Sequence, residues 1–414
     1  MSRRASMANE LDDLEQALAS ETESFKATKQ LLPEEVCGNL TNHGLAPGPD
    51  GIGMGKINQD RGLVAYPLAG DDQQGLFCVF DGHGKHGEKV SEFAATTTLE
   101  LLEADNAALR KAPAARLRKV LLKVDALLKK NDEINAELSG TTAVVAYLKG
   151  STLWVANIGD SRAVLATDIG LGEWATEALT KDQTAGDPEE QERIEMAGGY
   201  VSSGSHMFGP SRVWTDRTCQ RPGLAVSRSI GDFVGGSVGV CAEAVVTERK
   251  LTAADRALIV ASDGVWEFVS NVEAVRTVER HSDDATAAAV ALINTAGERW
   301  HREEADNRDD ITAVVLTLQP MSLPPPEEAA GESSPSFLQR QVKTDSELGV
   351  APPAAARRPS FVQRRLSMFA VGRRSSESRT APDPEGGRRS SSDWTPPVRT
   401  AKMEGTVEMA VEDA

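Results

Sequence analysis

The chain has 414 residues, enough for one large domain with extensions or for two ordinary domains. Its 40% apolar content can build a sizeable core, which excludes a wholly disordered protein. A formal net charge of −17 excludes a nucleic-acid binder that depends on a basic surface. By count, 13 of the 45 Lys/Arg and 13 of the 62 Asp/Glu fall after Leu318, so the whole −17 belongs to residues 1–318. An acidic domain of this kind repels itself unless cations compensate, which suits metal binding.

Residues 1–35 read as an N-terminal arm, with Leu11, Leu14 and Leu18 at helical spacing among acids. The start Met-Ser-Arg-Arg does not resemble a signal peptide, Ser2 excludes N-myristoylation, and no apolar run is long enough to span a membrane. The four cysteines (Cys37, Cys78, Cys219 and Cys241) show no paired spacing. They are expected to be buried reduced thiols in a cytoplasmic and/or nuclear protein.

Regular structure is predicted from about Val36 to Leu318. Strand-like apolar runs recur at Leu76–Phe80, Thr142–Leu148, Thr152–Ile158, Ala163–Ala166, Ala257–Ala261 and Ile311–Leu318. Lys149-Gly150-Ser151 is too short a link for parallel strands, so the two runs it joins form an antiparallel hairpin. One helical face carries Leu117, Val120, Leu121, Val124, Leu127 and Leu128. A second carries Phe93, Leu99 and Leu102, and an alanine-rich helix is predicted over 284–302. A further helix covers 188–197, stopped by Gly198-Gly199 and followed by a Gly/Ser-rich stretch. Hairpins with grouped helices indicate an α+β fold rather than alternating βαβ units.

After Leu318 the composition changes. Of the 20 prolines, 12 lie in 319–414, among runs of Ser, Arg, Gly and Glu, which predicts a disordered C-terminal tail. It contains an imperfect repeat, Pro-Ser-Phe-Leu-Gln-Arg at 335–340 and Pro-Ser-Phe-Val-Gln-Arg at 359–364, that reads either as a docking motif or as low complexity.

Several acids share one context, at or near the end of an apolar run and before a turn: Asp60, Asp81, Asp160, Asp263 and the pair Asp309-Asp310. Strand ends can gather carboxylates along the rim of a sheet. Gathered carboxylates repel unless a hard cation sits among them, and oxygen donors with retained waters suit Mg²⁺ or Mn²⁺. Two such ions can activate water and clamp a phosphoryl oxygen, which serves phosphoester hydrolysis. Asp-Gly is also a common turn dipeptide, so one such site alone would mean little.

Six segments appear in order: Phe-Cys-Val-Phe-Asp-Gly-His-Gly at 77–84, Ser-Gly-Thr-Thr-Ala at 139–143, and Ala-Asn-Ile-Gly-Asp-Ser-Arg-Ala-Val-Leu at 156–165. Then come Gly-Leu-Ala-Val-Ser-Arg-Ser-Ile-Gly-Asp-Phe at 223–233, Ala-Ser-Asp-Gly-Val-Trp at 261–266 and Asn-Arg-Asp-Asp-Ile-Thr at 307–312. Over residues 36–318 the chain resembles the metal-dependent protein phosphatases of the PPM family, the type 2C serine/threonine phosphatases. The resemblance implies an antiparallel β-sandwich flanked by helix pairs in α-β-β-α layers. It implies two Mg²⁺ or Mn²⁺ ions, with a third, weaker ion in some members, and phosphoprotein substrates. By motif, Asp81 resembles the residue bridging both metals, with the Gly82 carbonyl binding one of them. Asp263 and Asp309 resemble the other carboxylates of the first metal, and Asp160 a ligand of the third. His83 resembles the general acid to the leaving alkoxide, a task an imidazole can be tuned for.

Two positions depart from the family pattern. Many members have Glu-Asp where this chain has Gln59-Asp60, which leaves Asp60 to order metal-bound water. The family's arginine that binds substrate phosphate has two local basic candidates here, Lys56 and Arg61; Lys56 fits better in position though shifted by one residue, and would act as a point charge rather than a bidentate fork. The region 180–222 corresponds to the flap beside the active site, a place that carries substrate choice. The alternative to a monomeric phosphatase is a catalytically weak scaffold that binds partners through its tail.

Arg-Arg-X-Ser occurs five times, ending at Ser6, Ser360, Ser367, Ser376 and Ser391, always in the arms. Basophilic kinases read paired arginines, and each phosphate adds about −1.5 to −2 charges, turning a neutral tail acidic. Incubation of the purified chain with a cyclic-nucleotide-dependent kinase is expected to phosphorylate Ser367 first, as mapped by mass spectrometry. An unmodified Ser367, beside a control peptide that is modified, would exclude this regulation.

Overall fold

Strands buried on both faces set the architecture. In the computed structural model, which describes residues 32–48, 53–170, 172–204 and 209–318, the strand Gln74–Gly84 sends Leu76, Cys78 and Phe80 to one face and Phe77 and Val79 to the other. Ala143–Lys149 divides Ala143, Val145 and Tyr147 from Val144, Ala146 and Leu148 in the same way. In a second sheet, Ile311–Thr317 divides Ile311, Ala313 and Val315 from Val314 and Leu316. A strand alternates its side chains, so a continuous apolar run requires cover on both sides.

That cover is another sheet on the inside and helices on the outside. The seven-stranded sheet includes Asp60–Ala65, Gln74–Gly84, Ala143–Lys149, Thr152–Ile158 and Val245–Lys250. The five-stranded sheet runs Cys37–Asn42, Ile311–Thr317, Asp255–Ala261, Arg162–Asp168, Trp174–Ala178. Every ladder in both is antiparallel. Val64, Phe77, Val144, Leu165, Val260 and Leu316 meet in the core between the sheets. Gly87–Ala104 and Pro113–Leu128 pack on the outer face of the larger sheet, and Asn271–Glu279 and Ala285–Glu304 on that of the smaller one. The expected α-β-β-α sandwich is therefore the fold. All described residues belong to one compact unit, assigned to Met1–Met368.

The hairpin forms as its short link requires. Lys149 pairs with Thr152, leaving Gly150-Ser151 as a two-residue turn in which Gly150 takes φ 55, the left-handed region such turns need. The helices begin on local signals. Pro113 starts its helix, Ser270 Oγ accepts from Glu273 N at 3.2 Å, and Asp284 Oδ1 accepts from Ala287 N at 2.8 Å. Pro113–Leu128 buries Leu117, Val120, Leu121, Val124 and Leu128, whereas Leu127 faces solvent, one position round the helix from the seam. Gly87–Ala104 turns Val90, Ser91, Ala94, Ala95 and Thr98 inward with Leu102. Phe93 and Leu99 only flank that core, because small side chains let the helix lie close to the sheet.

Other expectations need correction. Asp-Gly-His-Gly is no turn; the strand continues through it to Gly84 because Gly82–Gly84 pair with Ser139–Thr141. Cys37 and Cys78 are buried, but Cys219 is exposed and Cys241 half-buried. The flap forms Pro188–Met196 and the short strands Tyr200–Ser202, Arg212–Trp214 and Pro222–Leu224, around a separate small core of Ala185, Ile194, Val201, Val213, Val238 and Val240. The amphipathic stretch at Leu11–Leu18, the tail repeat and all five Arg-Arg-X-Ser serines lie outside the described residues. Among the described residues no helix is long and apolar enough to cross a membrane.

Phe77 is fully buried where the sheets meet. Phe77→Ala is expected to lower the unfolding free energy by about 3–5 kcal/mol, read from urea denaturation. A loss below about 1 kcal/mol would mean the inter-sheet core does not hold the domain together.

Candidate metal centre and active site

Two adjacent strands set the first carboxylates opposite each other, since Asp60 pairs with Asp81 across the ladder. Asp81 also marks the point where its strand changes partner. Val79 pairs with Val144 in one ladder and Gly82 with Thr141 in the next. Thr142 holds the junction: its Oγ1 accepts from Asp81 N at 3.1 Å and its N–H donates to Asp81 O at 2.9 Å. The same hydroxyl hydrogen-bonds Ser161 Oγ at 2.7 Å, beside Asp160 in the turn after Thr152–Ile158. Gly159 makes that turn possible, with φ 92 and the Thr142 side chain where a Cβ would lie.

Asp263 begins the short helix Asp263–Trp266 directly after the strand Asp255–Ala261 and Ser262. Asp309 precedes Ile311–Thr317. Ser262, fully buried, ties three of these segments: its Oγ donates to Asp60 Oδ2 at 2.7 Å and accepts from Thr312 N at 3.0 Å.

The electrostatics of this rim are unfavourable for ionised acids. Burial first, and then Asp60, Asp263, Asp309 and Asp160, hold the Asp81 carboxyl well above the usual range. Asp263 is held up by burial and by Asp160 and Asp309, and its carboxyl hydrogen-bonds that of Asp81. Burial and Asp310 push Asp60 up to about 7, and burial and Asp182 push Asp160 up to about 6. Asp60 Oδ1 is buried without a hydrogen-bond partner. All six acids singled out by sequence are therefore neighbours.

Among the described residues no three His, Cys, Asp or Glu side chains form a closed metal cage. Mg²⁺ does not need one, because it keeps several waters and takes only one or two carboxylates directly. An all-oxygen donor set, mutual repulsion and an unpartnered buried oxygen fit a hard divalent ion of the Mg²⁺ or Mn²⁺ kind.

Lys56 Nζ donates to Asp309 Oδ1 at 3.1 Å, on the more exposed side of the rim. Burial would lower its pKa, but Asp309 and Asp310 outweigh burial and raise it, so the ammonium is firmly charged. Gln59 Nε2 donates to Gly84 O at 2.9 Å and Glu88 Oε2 at 3.2 Å, a use of the amide that a glutamate could not make. His83 Nε2 donates to Asp232 Oδ2 at 2.6 Å. Burial would lower the pKa of the imidazole, and the Asp232 carboxylate outweighs this to raise it.

Sequence reasoning gave no task to Asp310, Ser262 or Asp232. Asp310 Oδ2 accepts from Gln59 N at 2.8 Å and Oδ1 from Gly44 N, which pins the loop leading to Asp60. Its signal was present as an acid doublet before a fully apolar strand, where the second acid must find donors.

An antiparallel sandwich that gathers oxygen-only acids at one end of its sheets is suited to a metal-dependent hydrolase. Residues 55–304 match the family model for protein phosphatase 2C. The chain is 34% identical over 273 residues to "Probable protein phosphatase 2C 72" of Arabidopsis thaliana, covering 64% of this chain and 82% of that one. It is 36% identical over 279 residues to "Probable protein phosphatase 2C 61" of the same plant, covering 66% and 83%. In fold it is similar to a crystal structure of serine-threonine phosphatase 2C from Toxoplasma gondii, with TM-score 0.57 and 23% identity over 68% of this chain and 94% of that one. The chain belongs to the protein phosphatase 2C family and is a metal-dependent protein phosphatase.

The rim yields a prediction with a definite sign. A carboxyl whose folded pKa lies above its unfolded value destabilises the fold above the folded pKa, and that penalty is lost as pH falls through the folded pKa toward the unfolded one. Asp81→Asn should therefore raise the melting temperature of the metal-free protein, with each 1 kcal/mol of relief worth roughly 2–4 °C. Phosphatase turnover should fall at least ~100-fold, about 2.7 kcal/mol of barrier. Melting at pH 7.5 in EDTA, with parallel turnover in Mn²⁺, checks both. A lowered melting temperature would mean the rim acids do not repel.

Proposed function

We propose that the domain, residues 36–318, hydrolyses phosphoserine and phosphothreonine in proteins at the rim formed by Asp60, Asp81, Asp160, Asp263 and Asp309. The observation that supports this most is the crowding of Asp60, Asp81, Asp160 and Asp263, the first buried and the others half-buried, each raised by its surroundings. Two Mg²⁺ or Mn²⁺ ions would be held there by Asp81, the Gly82 carbonyl, Asp263 and Asp309, with a third, weaker site at Asp160. When bound, the ions supply Lewis acidity that lowers the pKa of water and steadies phosphoryl oxygens.

The chain's own residues supply the rest. Asp60 has one oxygen tied by Ser262 and one without a partner, so it can accept from a water and orient it. Lys56, held at the rim by Asp309, offers a charge to the substrate phosphate. A serine or threonine alkoxide is a poor leaving group, so it must receive a proton as it departs. His83 is the side chain beside the rim suited to give that proton. The flap beside the site would select among phosphoproteins, and kinases acting on the arms would adjust docking without touching the rim. The compartment that fits these properties is the cytoplasm or nucleus.

Metal binding and turnover test this together. Mn²⁺ titrated into metal-stripped protein should release heat in a saturable isotherm and raise the melting temperature by linkage. Turnover of a phosphothreonine peptide should appear with Mn²⁺ or Mg²⁺ and vanish in EDTA. Full turnover in EDTA, or no binding heat, would sink the reading.

A further inference from the structure

Two of the recurring segments, 139–143 and 223–233, contribute no metal ligand, yet they converge beneath His83. In the ladder His83 pairs with Gly140, and Gly140 pairs on its other side with Gly231. The Asp232 carboxylate lies across Gly140 and accepts from His83 Nε2 at 2.6 Å. Only a glycine permits the crossing, because a Cβ at position 140 would meet Asp232 Oδ2 and Ser229 Oγ. Asp232 itself takes φ 49 and ψ 46, a left-handed backbone that a non-glycine residue adopts at a cost. The turn is fixed from three sides: Asp232 N donates to Ser139 O at 2.9 Å, Gly231 N to Asp125 Oδ1 at 2.8 Å, and Phe233 N to Ala136 O at 3.2 Å.

The side chain is fully buried, and its Oδ1 has no hydrogen-bond partner. A buried carboxylate with one oxygen unpaired is an expensive feature for a fold that needs it only for structure. The imidazole it holds keeps 28% side-chain exposure. A carboxylate only accepts, so Nε2 carries the proton of that bond and Nδ1 is the nitrogen left for the substrate.

We propose that Asp232 is the positioning residue for His83, holding the ring by Nε2 so that Nδ1 delivers the proton to the leaving serine or threonine oxygen. This rests on the reading of His83 as the acid. As a water oxygen bonds to phosphorus the ester phosphorus–oxygen bond breaks, its electron pair goes to the leaving oxygen, and that oxygen takes the Nδ1 proton of the doubly protonated ring, which is left neutral with its proton on Nε2. Asp232 accepts from Nε2 before and after the transfer and takes no part in moving the proton.

The full chain in Mn²⁺ is assayed on a phosphothreonine peptide, whose leaving group needs a proton, and on 4-nitrophenyl phosphate, whose leaving group does not. Asp232→Asn keeps the volume and should reduce kcat on the peptide by ~10–100-fold, with KM changed less than about threefold. The loss on 4-nitrophenyl phosphate should be at least ~10-fold smaller. In a His83→Ala background, Asp232→Asn should cost less than about twofold more, since both act through one proton. Equal losses on the two substrates, or full additivity, would overturn the proposal. If His83→Ala leaves peptide turnover intact, the acid reading itself falls; if His83→Ala is deficient and Asp232→Asn is not, only the Asp232 proposal falls. Nitrogen NMR of the wild-type imidazoles, with His83 assigned by its loss in His83→Ala, needs no folded Asp232 variant. Once the ring has lost its second proton, the neutral His83 is expected to keep its remaining proton on Nε2, and a neutral ring that keeps it on Nδ1 instead would overturn the proposal.

Discussion

The repulsion among crowded carboxylates at one end of the sandwich is the interaction on which the rest of this molecule depends. No single element could hold Asp60, Asp81, Asp160 and Asp263 together, because each sits on a different segment and each raises the pKa of its neighbours or is raised by them. The fold supplies the opposing force. Cores between the sheets and under both helix layers fix the strand ends, and the acids have no freedom to move apart. A cation bound among these acids would do for the site what hydrophobic burial does for the rest of the domain and make proximity favourable. This also gives a physical reason for the acidity of residues 1–318, since the surplus charge attracts divalent ions toward the rim.

Small polar residues convert that crowding into a defined geometry. Ser262 links the segments of Asp60, Asp263 and Asp309 through one hydroxyl, and Thr142 links those of Asp81 and Asp160 through another. Both hydroxyls are buried and fully engaged, so neither can rotate away without leaving a polar atom unsatisfied. The acids are thus registered to one another by hydrogen bonds shorter than the span of any one strand. Asp310 extends the same logic to the loop before Asp60.

Much of this was legible in the sequence. Apolar runs gave the long strands, the three-residue link gave the hairpin, and acids at the ends of runs gave the rim. What periodicity could not give was a place where one strand serves two ladders: Asp-Gly-His-Gly has turn composition, and only pairing with Ser139–Thr141 keeps it extended. The helix Gly87–Ala104 was misjudged for a related reason. Its large side chains suggested the buried face, whereas close approach to a sheet selects alanine, serine and threonine. Asp232 was invisible as a partner of His83 because 149 residues separate them and nothing local marks the contact. Lys56 illustrates the reverse case, a cation found where motif alignment left it ambiguous and already engaged by Asp309.

The flap has its own hydrophobic core, separate from the three cores of the sandwich, and a charged anchor at its base. There Glu190 accepts from Arg228, Arg193 and the Ser227 hydroxyl, and those donors overcome the effect of burial to hold its pKa down to about 2. Arg228 and Ser227 belong to the same run of sequence that ends in Gly231 and Asp232. A region with a private core can open and close as its own cooperative unit, at a free energy well below that of global unfolding. Amide hydrogens in Tyr200–Ser202 and Arg212–Trp214 are then free to exchange on a faster clock than those of the sandwich strands. Such a module can be remodelled by evolution, with new surface residues and new targets, while the chemistry beneath it stays the same.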